Sequence, residues 1–122
     1  MKRDMELIRK LVLALEDAPT GYAPDNLNIE GYASDQIGYH AYLMIDAGLA
    51  TGKKDVGEFG STSPEAMLTN LTWAGHEFAE AARDESRWKN AMSVVREKGG
   101  SVTISVLTQI LTGLMKGAFG LP

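Results

Sequence analysis

A chain of 122 residues, 44% hydrophobic and 23% charged, has the size and composition of one ordinary globular domain. It has no cysteine, which excludes disulfides and zinc–thiolate sites, and its sixteen acids against twelve bases give a net charge of −4. That balance argues against a dedicated nucleic-acid binder, because neutralising phosphate carries most non-specific affinity.

Met5, Ile8, Leu11, Val12 and Leu15 recur at three- and four-residue spacing, which predicts a first amphipathic helix ending near Asp17, ahead of Pro19. No apolar h-region precedes it, so the N-terminus does not read as a signal peptide. Residues 20–26 are dense in turn formers. Leu27-Asn28-Ile29-Glu30 alternates apolar and polar before Gly31 and predicts a short strand. Ser34 is the expected N-cap of a second helix, with Ile37, Ala41, Met44 and Ala47 facing inward and Gly48 closing it at C′. Leu49 to Asp55 and Met67 to Leu71 are then two strands around a polar, glycine-rich tip at 56–64.

Thr72 caps a further helix carrying Trp73, Phe78, Ala81 and Ala82. A break falls at Arg83-Asp84-Glu85-Ser86, and Trp88, Met92 and Val95 continue the apolar stripe as far as Lys98. Both tryptophans are expected to anchor this region on the domain. Gly99-Gly100 ends it, and a last helix runs from about Thr103 to Lys116. The longest charge-free apolar tract, Val102 to Met115, is too short to span a bilayer. The expectation is a soluble cytoplasmic protein that makes no use of a membrane.

The pattern predicts an α+β, mostly helical fold: a winged helix-turn-helix-like domain with a C-terminal helical extension. Residues 1–71 form its core, the wing spans about 49–71, and residues 72–122 add the C-terminal helices of the same single domain.

Three stretches carry a family resemblance: Met1-Lys2-Arg3-Asp4-Met5-Glu6-Leu7-Ile8-Arg9; then Ile37-Gly38-Tyr39-His40 with Ala47-Gly48-Leu49; then Leu71-Thr72-Trp73-Ala74-Gly75-His76-Glu77-Phe78 with Arg83-Asp84 and Trp88-Lys89. In combination they resemble the domain-of-unknown-function family 2513 from Met1 through Gly100. The resemblance implies small proteins of bacteria and their prophages and a winged-helix-like fold, and it supplies no catalytic residues to carry over. Ala41 stands where that pattern has Leu, and Ile45 where it has a charged residue.

Charge distribution shapes the functional reading. Residues 11–52 hold six acids (Glu16, Asp17, Asp25, Glu30, Asp35, Asp46) and no Lys or Arg, and this span contains the whole second helix. Its expected outward positions, Asp35, Gln36, Tyr39, His40 and Leu43, form an acidic, aromatic face suited to a protein partner. The alternative is a DNA-binding regulator. It would use Gln36 on adenine and take its phosphate contacts from Lys2, Arg3, Arg9, Lys10, Lys53 and Lys54.

Catalysis is a weaker reading. His76 and Glu80, at i,i+4, are two ligands without a third, and no nucleophile elbow, phosphate loop or metalloprotease motif occurs. No enzyme activity, cofactor or metal is therefore expected. The last helix carries an apolar face wider than a small domain needs, and Leu107, Ile110, Leu111 and Leu114 are the expected contact of a homodimer.

Overall fold

The computed structural model describes residues 1–57, 60 and 62–122. Glu58, Phe59 and Ser61 of the predicted wing tip lie outside the described residues. Its elements in chain order are α1 (Met5–Glu16), α2 (Ser34–Asp46), β1 (Ala50–Asp55), β2 (Glu65–Leu71), α3 (Trp73–Arg83), α4 (Glu85–Glu97) and α5 (Ile104–Ala118). The fold is α+β and mostly helical, with one two-stranded antiparallel sheet among the described residues. The chain forms two compact units, Met1–His76 and Glu77–Pro122, with the boundary inside α3.

In the first unit, α1 starts at Asp4, whose carboxylate accepts from the backbone N–H groups of Glu6 (2.9 Å) and Leu7 (3.2 Å). This satisfies two of the donors that every helix start leaves open. Leu7, Leu11 and Val12 are fully buried, with Ile8 and Leu15 beside them. Residues 17–33 contain turns and no helix, so α1 and α2 are not joined by the tight turn of a helix–turn–helix pair. The predicted strand at Leu27–Glu30 does not form either. The edge of β2 meets this loop through a single bond instead, from the Ala23 N–H to the Thr69 carbonyl at 2.7 Å. A bulge explains the choice: Thr51 pairs with Asn70 but Gly52 pairs with Leu68, leaving Thr69 without a partner across the ladder.

Helix α2 is capped differently from the expectation. Ala33 holds the N-cap position, and the Gln36 side-chain oxygen accepts from the Ala33 N–H at 2.9 Å. Ile37, Ala41 and Met44 face the core as predicted, whereas Ala47 is exposed and His40 takes an inward position. Gly48 follows with φ +76°, the left-handed conformation that closes helices without a Cβ penalty.

The two short motifs Ala47-Gly48-Leu49 and Leu71-Thr72-Trp73-Ala74-Gly75 meet in space. The Thr72 hydroxyl donates to the Gly48 carbonyl (2.6 Å) and accepts from the Gly75 N–H (3.1 Å), while the Thr72 N–H donates to the Leu49 carbonyl (3.0 Å). One residue thus closes the exit of α2 and opens α3. Gly75 is buried against the residue just before β1, and a Cβ there would stand 2.0 Å from the Leu49 carbonyl oxygen.

In the second unit, α4 is capped by Asp84, which accepts from the Arg87 N–H at 2.8 Å. The Arg87 guanidinium in turn donates to the Ala81 carbonyl at the end of α3 (3.1 Å). Phe78, Ala79 and Ala82 are buried, as are Trp88, Ala91 and Val95 one and two turns apart on α4. Gly99 and Gly100, both at positive φ, break the chain, and Thr103 caps α5, which packs along α4. Among the described residues no helix is long and apolar enough to cross a membrane.

Candidate interaction surface on helix α2

The two sides of α2 do different work. On the inner side His40 is only 1% exposed, and both ring nitrogens are engaged. The Asp4 backbone N–H donates to Nε2 at 2.8 Å, and Nδ1 lies 2.8 Å from the Gln36 carbonyl. An acceptor at Nε2 requires the tautomer with its proton on Nδ1, which then donates to Gln36. His40 therefore ties the start of α1 to the first turns of α2 and does not face outward, contrary to its expected place on the partner face. Tyr32 lies against the same junction. Burial, followed by the nearby Asp4 carboxylate that its hydroxyl bonds, raises its pKa above the ordinary 10.0. Lys10 sits over the Tyr32 ring, 5.6 Å from its centroid.

The outer side carries a stack. The Tyr39 and Tyr42 rings are nearly parallel, at 14° with centroids 6.1 Å apart. They sit three residues apart on one helix face. Lys54 reaches across from β1: its Nζ lies 5.3 Å from the Tyr42 centroid and 2.5 Å from Asp46 Oδ1. The hydrogen bond to Asp46 raises the pKa of Lys54 above its ordinary value. Asp35 is exposed at the start of the helix, and Leu43 and Ile45 are half-buried. Tyr42 and Asp46 belong to this surface as well, beyond the five expected outward positions. Their spacing from Tyr39 (i+3, i+7) was the available signal. Lys54 joins them through the position of β1, which helix periodicity does not contain.

The residues assigned to DNA differ in exposure and in the partners they hold. Arg9 is 7% exposed and lies 3.5 Å from the Glu6 carboxylate, so burial withdraws it from any phosphate. Lys54 is engaged by Asp46, and the Gln36 side-chain oxygen is bonded at the helix start. Lys2, Arg3, Lys10 and Lys53 are exposed.

Other expectations shift as well. His76 pairs with Glu16 of α1, Nδ1 to Oε2 at 3.2 Å, instead of with Glu80. Among the described residues no group of three or more His, Cys, Asp or Glu side chains converges as metal ligands would. Trp73 is 82% exposed whereas Trp88 is buried, so the two tryptophans do not share one anchoring role. Leu107 and Leu111 are fully buried within the chain, on a helix that packs along α4. Of the expected dimer face only Ile110 and Leu114 keep partial exposure.

The sequence model of the family described as "Hypothetical protein (DUF2513)" matches residues 2–101. A relative from Haemophilus influenzae, described as "Uncharacterized protein", is 27% identical over 114 residues, which cover 90% of this chain and 92% of the relative. No solved structure matches the chain.

Proposed function

This chain belongs to the DUF2513 family, and from its geometry we propose that it is a cytoplasmic, non-enzymatic module that binds a protein partner through the outer face of α2. The observation that carries this reading is the Tyr39–Tyr42 stack on a helix with no base of its own, beside Lys54, which Asp46 already engages. Tyrosine rings bring large contact area with a polar tip and suit protein interfaces. A phosphate backbone, by contrast, demands several available cations. The reading includes a reduced winged-helix character, in which α2 and the β1–β2 hairpin stand as recognition helix and wing. A bacterial or prophage origin belongs to it too, supported by the bacterial relative.

The test compares partners directly. A partner protein captured by the wild-type chain is expected to be lost on Tyr39→Ala or Leu43→Ala and kept on Lys53→Glu. Anisotropy of a generic labelled duplex is expected to show no micromolar binding at low salt. Duplex binding that collapses with salt, and that disappears in Lys53→Glu and Lys54→Glu, would make the chain a DNA-binding regulator using Lys2, Arg3, Lys10 and the hairpin bases.

A further inference from the structure

We propose that Tyr39, Tyr42 and Asp46 form the seat of an arginine side chain from a basic segment of the partner protein, and that Lys54 occupies this seat while the partner is absent. The proposal rests on the reading of α2 as a protein-binding face and specifies the chemistry it recognises.

An aromatic face with a carboxylate at its edge is the arrangement that binds an organic cation. Here the geometry is already realised by the chain's own ammonium, 5.3 Å over Tyr42 and hydrogen-bonded to Asp46. That occupant is easily displaced. The Lys54 and Asp46 side chains are 41% and 43% exposed, and an ion pair so open to solvent is weak and screened by salt. Arginine fits the seat better than lysine. Its planar guanidinium can lie on the Tyr39–Tyr42 stack and present two N–H groups to one carboxylate, which a point charge on a flexible stem cannot do.

The surroundings are complementary to a basic segment. Residues 11–52 contain no Lys or Arg, and Asp25, Glu30 and Asp35, on the approach to α2 and in its first turn, are exposed. An arginine-bearing chain that reaches the seat therefore meets no repelling charge from this span. Displacement also releases Lys54, so partner binding and the Lys54–Asp46 pair compete for one carboxylate.

The test measures anisotropy of a labelled oligoarginine peptide with the intact protein at low salt. Lys54→Met empties the seat and is expected to tighten binding about two- to fivefold. Lys53→Met removes the same charge next door and is expected to change it less. Asp46→Asn and Tyr42→Leu are each expected to weaken binding about two- to fivefold, while Asp25→Asn, which removes the same charge outside the seat, weakens it less. Circular dichroism melts confirm that each variant folds, and the surface change Asp46→Asn keeps the test valid if Tyr42→Leu does not. Equal effects of the two lysine variants, or of the two aspartate variants, would reduce the attraction to diffuse charge and overturn the seat. So would binding of a duplex but not of the peptide. If the peptide fails to bind while capture of a protein partner still depends on Tyr39 and Leu43, the arginine seat falls and the α2 reading stands.

Discussion

At the scale of single residues, His40 and Tyr32 convert sequence neighbours of no evident importance into the joint between α1 and α2. Replacing His40 with Ala leaves the Asp4 N–H without its acceptor, while the Gln36 carbonyl keeps its helical bond. We expect a loss of about 1–3 kcal/mol in urea unfolding, the usual cost of stranding buried polar groups. Tyr32 and Lys54 both have folded-state pKa values above their ordinary ones. Each group thus holds its proton more tightly when folded. The stability this contributes is present below the ordinary values of 10.0 and 10.5 and is lost as pH rises through the folded values. Unfolding midpoints should fall on the alkaline side, and Tyr32→Phe should flatten part of that fall. Tyr39 and Tyr42 on one helix face were legible from spacing alone. The inward turn of His40 was not, because an imidazole is equally at home on either side of a helix until a donor such as the Asp4 N–H is brought to it.

At the scale of elements, the joint between the end of α2 and the start of α3 concentrates several demands on few atoms. Thr72 caps α3 and holds the Gly48 carbonyl, so Thr72→Val, which keeps the shape but removes the hydroxyl, should cost about 1–2 kcal/mol. Gly75→Ala asks for more. Its Cβ would stand 2.0 Å from the Leu49 carbonyl oxygen, and relief requires α3 to move off Leu49. A thermal melt is expected to report a loss of about 1–3 kcal/mol or greater, whereas Gly113→Ala, where no neighbour lies within 4 Å and the residue is helical, should be neutral or stabilising. Starts and stops such as Thr72, the break at Asp84, Gly99-Gly100 and Thr103 were readable, because caps and glycines are local signals. The strand at Leu27–Glu30 failed for a nonlocal reason. Alternation makes a segment able to be a strand, but the one bond that the edge of β2 gives this loop goes to Ala23.

At the scale of the whole molecule, the chain is two compact units. Leu107 and Leu111 belong to the core of the second. Leu107→Ala should lower stability by about 2–5 kcal/mol, by the same amount at every protein concentration, as core truncations do. A loss that grew on dilution would return Leu107 to a dimer interface. Net charge, a property of the whole chain, argued from the start against phosphate binding. Burial of Arg9 and engagement of Lys54 sharpen that argument, since they subtract two bases that a count of residues had left available.

By itself the sequence determined the mostly helical α+β class, the five helices and the hairpin, the breaks at Asp84 and at Gly99-Gly100, the family and the base-free acidic span, because all of these are written in neighbouring residues or in totals. Tertiary structure alone decided which side of α2 His40 faces, that Trp73 stays on the surface while Trp88 is buried, that α5 spends Leu107 and Leu111 internally, and that Lys54 lies on Tyr42. Each of those depends on what a distant segment places opposite a side chain, and periodicity along one element carries no information about its neighbour across the fold.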